Sequence, residues 1–133
     1  MILVDTSVWI HFFRATPSLF RTKLHQLIEQ ENDLCLTAIH LTEILQGIKS
    51  ESEFERTLHD LLAFPILLLG NRTTHIHAAR IYRDCRQQGK TVRNTVDCLI
   101  AAVAIENDFT LFHNDKDFDA IAACTRLKLF VGG

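Results

Sequence analysis

Residues 95–107 read Thr-Val-Asp-Cys-Leu-Ile-Ala-Ala-Val-Ala-Ile-Glu-Asn, and this stretch decides the fold. Apart from Asp97, the residues from Val96 to Ile105 are apolar on every side a helix could present. A helix without a polar stripe must be covered on most of its sides. Its longest apolar run, residues 99–105, is far short of the roughly 20 residues that cross a bilayer, so the cover has to be protein.

The cover is legible in the sequence on both sides. Short apolar runs recur at 2–4, 34–37, 65–69, 109–113 and 127–131. Between them the spacing turns helical. Leu19, Phe20, Leu24, Leu27 and Ile28 mark 18–31, and Leu41, Ile44, Leu45 and Ile48 mark 38–48. Phe54, Leu58, Leu61 and Leu62 mark 53–63, and Ala78, Ile81, Tyr82 and Cys85 mark 73–87. Strands alternating with helices imply a parallel sheet covered on both faces. The expected architecture is one domain over residues 1–133, a three-layer α/β/α fold around a mainly parallel sheet of about five strands. At 133 residues the chain is long enough to build such a core without staples.

Composition narrows the function. The balance of charges, 14 cations against 16 anions, argues against a basic nucleic-acid coat. It also hides an asymmetry: residues 72–93 hold six cations and one anion, so the rest of the chain is acidic. Cys35, Cys85, Cys98 and Cys124 form no CxxC pair and read as reduced core thiols. No segment reads as a membrane span, and the opening Met-Ile-Leu-Val-Asp lacks the basic start of a signal peptide, so a cytoplasmic location is expected. No GKS/GKT or GxGxxG pattern supports a nucleotide cofactor. His75 and His77 are two apart and would point to different sides of a helix, while His11, His25, His40 and His59 are scattered, so these read as surface or loop residues. His113 adjoins Asp115 at a strand end, within reach of a substrate.

In open parallel sheets, sites form beyond the carboxyl ends of the strands. Asp5 follows the first run, Asp115 follows the fourth, Asp97 opens the buried helix, and Glu43 lies in the helix after the second run. Each acid has an ordinary structural role available. Asp5 and Asp115 could cap helices, and Asn94 with Asp97 resembles a capping pair. Asp97, however, enters apolar surroundings, where a carboxylate is costly unless it is paired or binds a metal. Gathered carboxylates raise one another's pKa, and a divalent cation removes that conflict. Oxygen-only donors suit Mg²⁺ or Mn²⁺ rather than zinc. Such ions activate water and clamp a phosphodiester.

At these residues the sequence resembles the PIN-domain ribonucleases. Ile2-Leu3-Val4-Asp5-Thr6-Ser7-Val8-Trp9 resembles the start of that domain, and Thr42-Glu43-Ile44 its second acidic motif. The stretch from Thr95 to Ala102 resembles the third, and Leu111-Phe112-His113-Asn114-Asp115-Lys116-Asp117-Phe118 the last. Size and motif set are most similar to VapC-type toxins of bacterial toxin–antitoxin modules. The resemblance implies a Mg²⁺- or Mn²⁺-dependent endoribonuclease with Asp5, Glu43, Asp97 and Asp115 as its acidic site. Asp5 and Asp97 rank first as metal ligands, and Glu43 either binds metal or orients the water. Asp117 replaces Asp115 if the fourth strand runs longer. The Thr6 hydroxyl is expected to support Asp5. The resemblance further implies an RNA substrate, a homodimer and a cognate VapB-type antitoxin. Arg80, Arg83, Lys90 and Arg93, in the basic stretch that ends before Asp97, are candidates for RNA phosphate contacts.

Two rival readings remain. A phospho-acceptor signalling domain also uses Mg²⁺ and acids at strand ends, but needs paired acids after the first strand and a lysine after the last. A PIN scaffold that only binds its partner would not need the full acid set.

Overall fold

The computed structural model describes residues 1–14 and 17–131. Five strands form one sheet: β1 (Ile2–Val4), β2 (Leu34–Thr37), β3 (Ile66–Leu67), β4 (Thr110–Phe112) and β5 (Lys128–Leu129). The order across the sheet is β3-β2-β1-β4-β5, and every neighbouring pair is parallel. Ile2 pairs with Leu34 on one side and Thr110 on the other, which places β1 at the centre. The helices are α1 (Thr6–Phe13), α2 (Leu19–Glu29), α3 (Ala38–Gln46), α4 (Glu51–Leu61), α5 (Arg72–Gln87), α6 (Thr95–Glu106) and α7 (Lys116–Cys124).

The strand period of two sorts the core into two halves. Leu3, Cys35 and Leu111 point to the face covered by α5, α6 and α7, with Ile81, Ile100, Phe118 and Ile121. Val4, Leu34, Leu36 and Phe112 point to the face covered by α1–α4, with Val8, Trp9, Leu24 and Leu61. This is the expected three-layer fold. The outer strands are shorter than their apolar runs, two residues each for β3 and β5.

α6 carries the central position that its composition demands: Cys98, Ile100, Ala101, Ala102, Val103 and Ala104 are all buried. Alanines at three of these positions let α6 sit close to the sheet and to α5. Trp9 is wholly buried and donates its indole N–H to the Val4 carbonyl at 3.1 Å, satisfying the one polar atom it takes into the core. Cys35, Cys85 and Cys98 are buried free thiols, and Cys124 is half-buried and free. Burial pushes the Cys35 thiol up to about 11, as befits an unreactive core residue. No helix among the described residues is long and apolar enough to cross a membrane.

Candidate active site

The chain runs outward from β1 to β3, then returns to the other side for β4 and β5. The order therefore reverses between β1 and β4, and the crevice beyond their carboxyl ends is the place where such sheets bind ligands. The two strand ends are tied together there. The Asp5 N–H donates to the Phe112 carbonyl at 2.9 Å. The Ser7 hydroxyl accepts from the Asn114 N–H at 2.9 Å and donates to Asp5 Oδ2 at 2.6 Å.

Three acids converge at this point. Asp97, Asp115 and Asp117 each present a carboxylate oxygen, and these oxygens lie within 4.8 Å of one another. Asp97 comes from the first turn of α6 and Asp117 from the first turn of α7, near the positive ends of both helices. Asp115 caps α7 by accepting from the Asp117 N–H at 2.9 Å. β4 ends at Phe112, as the choice of Asp115 required, yet Asp117 joins the cluster as well. The N-cap and first turn of α7 bring both carboxylates to Asp97. Asp119 points elsewhere and meets His113 at 3.3 Å.

Asp5 and Glu43 border this cluster. Asp5 is buried and caps α1 through the Ser7 N–H at 3.0 Å, the structural role its sequence position allows. Glu43 is half-buried on α3 and accepts from the Thr6 hydroxyl at 2.9 Å. Thr6 was expected to support Asp5. It serves Glu43 instead, because α1 begins at Thr6 and turns that side chain toward α3, while Ser7 meets Asp5.

His40 corrects a second expectation. It is fully buried rather than a surface or loop residue. Its Nε2 lies 2.9 Å from Asp5 Oδ1. On the other side of the ring, Nδ1 accepts from the Thr37 N–H at 3.1 Å, closing the capping box of α3. The signal was the spacing Thr37-x-x-His40, a capping-box pattern with histidine where glutamate or glutamine is usual.

The electrostatics separate the acids. Burial alone would raise Asp5, but the hydrogen bond from His40 and the two Ser7 donors outweigh it, leaving Asp5 below its ordinary value. Asp97 is pushed up to about 7, first by burial and then by the charges of Asp115, Asp5, Asp117 and Glu43. Among the described residues no side chain donates a hydrogen bond to the Asp97 carboxylate. Asp117 is better served: the Arg93 N–H donates to its Oδ2 at 3.2 Å and Arg93 Nε lies 3.5 Å from Oδ1. A crowd of carboxylate oxygens around one acid without a donor fits a hard divalent cation, which would keep Asp97 ionised.

Arg80, Arg83 and Lys90 are exposed, and Arg93 is exposed while it reaches back to Asp117. Lys128 begins β5 and pairs with Asp108 at 2.6 Å, so it does not supply the lysine a phospho-acceptor site needs.

Known proteins share this fold. Residues 2–123 match the PIN domain. The chain is 38% identical over 132 residues to ribonuclease VapC11 of Mycobacterium tuberculosis, covering 96% of each chain. It is 32% identical over 123 residues to ribonuclease VapC51 of the same organism, covering 92% of this chain and 86% of that one. Among solved structures, VapBC2 from Rickettsia felis, bound to a DNA fragment from its promoter, superposes with a TM-score of 0.76 at 23% identity, over 98% of both chains. The chain belongs to the PIN-domain family and, within it, to the VapC ribonucleases.

Proposed function

We propose that this chain is a divalent-metal-dependent endoribonuclease, the toxin of a VapBC-type module, working as a single PIN domain over residues 1–133. The observation that supports it most directly is the convergence of Asp97, Asp115 and Asp117, with Asp5 and Glu43 close enough to raise Asp97. Mg²⁺ or Mn²⁺, when bound, would supply Lewis acidity for the phosphodiester and acidify a water. Asp5, Asp97, Asp115 and Asp117 are the residues that would hold it. Glu43, fixed at Oε1 by Thr6, has a second oxygen with no hydrogen bond among the described residues, which would orient the attacking water and accept its proton. Water oxygen adds to phosphorus, and the bond to the leaving ribose oxygen breaks.

The substrate is RNA, as the names of the relatives say of them. An open cleft of about 520 Å³ beside Asp115, lined by Phe20, His113, Asn114, Lys116 and Phe130, gives a single strand room to approach. Arg80, Arg83, Lys90 and Arg93 are assigned to phosphate contacts along the strand. A cognate VapB-type antitoxin and a second copy of the chain complete the assembly, in the cytoplasm.

The test is cleavage of RNA by the purified chain with Mn²⁺, beside Asp5→Asn and Asp97→Asn. Cleavage by the wild type alone, abolished by a chelator, is expected. Equal cleavage by all three proteins would remove this site from the chemistry. RNA binding without cleavage would leave a binding scaffold.

A further inference from the structure

His40 has no counterpart among the acidic motifs, yet it makes the longest-range side-chain contact to the Asp5 carboxylate, bridging 35 positions of sequence. Counting the lone pairs of Asp5 shows what the contact does. A carboxylate has about four acceptor sites, two on each oxygen. Oδ2 accepts from the Ser7 N–H at 3.0 Å and the Ser7 hydroxyl at 2.6 Å, which fills it. Oδ1 accepts from His40 at 2.9 Å and keeps one site.

The direction of the His40 bond follows from its other side. Nδ1 faces the Thr37 hydroxyl at 3.0 Å, which can donate or accept, and the Thr37 backbone N–H at 3.1 Å, a group that can only donate. Nδ1 therefore holds a lone pair, and the ring hydrogen sits on Nε2, pointing at Oδ1. The ring cannot turn away, because it is wholly buried and its Nδ1 closes the α3 cap.

We propose that His40 is a positioning residue that makes Asp5 a one-point ligand, leaving a single lone pair of Oδ1 for a divalent cation. The inference rests on the metal reading of the site. Removing the Nε2 donor frees a second lone pair on Oδ1 and lets the carboxylate rotate about the Ser7 bonds. Partners of this kind typically change metal affinity by about 10–100-fold.

Mn²⁺ binding to the full chain, read by the electron paramagnetic resonance of free Mn²⁺, tests this without any turnover. His40→Leu, which fills the space without a donor, is expected to weaken binding about 10-fold or more. His40→Gln, whose side-chain amide can donate to Oδ1, is expected to stay within about threefold of wild type. Leu and Gln variants that bind equally well, or equally poorly, overturn the proposal. If His40→Leu fails to fold, nitrogen NMR of the wild-type ring decides. Hydrogen on Nε2, with a His40 signal that moves as Mg²⁺ saturates the site, supports it. Hydrogen on Nδ1, or a signal indifferent to saturating Mg²⁺, overturns it. A wild-type chain that binds no Mn²⁺ sinks the metal reading itself, whereas normal wild-type binding with unaffected His40 variants sinks only the role of His40.

Discussion

The Asp5 N–H donates to the Phe112 carbonyl at 2.9 Å, so a candidate site residue extends the hydrogen bonding between β1 and β4 past the strand ends. Sheet pairing and site assembly are one event at this position. Asp5 cannot leave the crevice without unzipping the centre of the sheet.

Asp97 makes the metal-free fold pH-sensitive. Its folded value, about 7, lies above the ordinary 3.8, so the folded chain keeps this proton longer than the unfolded chain. Stability from this group is therefore present at low pH and is lost as pH rises from about 4 through about 7. Asp97→Asn removes that loss. In chelator, the variant is expected to gain on wild type with rising pH, by roughly 2–4 kcal/mol at pH 8. Urea unfolding at pH 4, 6 and 8 measures it, and a difference that does not grow with pH would contradict the assignment.

Ser7→Ala removes a hydroxyl that joins Asp5 to the Asn114 N–H. The expected cost is about 1–2 kcal/mol in unfolding free energy, with RNA cleavage reduced by about 10-fold or more because both strand ends loosen. Cleavage at the wild-type rate would show that the bridge is structural only.

Replacing Arg80, Arg83 and Lys90 together by Gln leaves the fold untouched, since all three are exposed. If they meet phosphates, the slope of log affinity against log salt for single-stranded RNA falls by about 0.7 for each phosphate no longer neutralised, about 2 in all. Filter binding across a salt series reads this, and an unchanged slope would send the RNA along another path.

Gly70→Ala probes the entry to α5. Gly70 has φ of +78°, and an added Cβ would overlap the Thr74 hydroxyl. That hydroxyl also donates to Glu106 at 2.8 Å, linking the start of α5 to the end of α6. The substitution is expected to cost about 2 kcal/mol or more, since both backbone strain and the displaced hydroxyl count against it. Thermal unfolding unchanged from wild type would refute this.

Much of this was legible in the chain. β1 and β2 coincide with their apolar runs, and the all-apolar stretch from Val96 became the central helix because nothing but burial suits it. Asp5, Asp97 and Asp115 could be picked out because acids at strand ends and helix starts are local patterns. The partners of those acids could not. The bond from His40 to Asp5 spans the whole crossover from β1 to β2, and only the assembled sheet brings them together. Thr6 and Ser7 are adjacent hydroxyls, and which one meets Asp5 depends on the pitch of α1, which no residue type specifies. Asp117 was legible as an alternative to Asp115 but not as its companion, because the α7 cap that places them together forms only when β4 ends at Phe112.

α6 anchors Asp97 to a rod with hardly any side facing solvent. Loop insertions elsewhere cannot shift that carboxylate, and neither can drift of surface residues. Within this chain, change is therefore best tolerated at the rim, while the packing around α6 holds the Asp97 carboxylate in place.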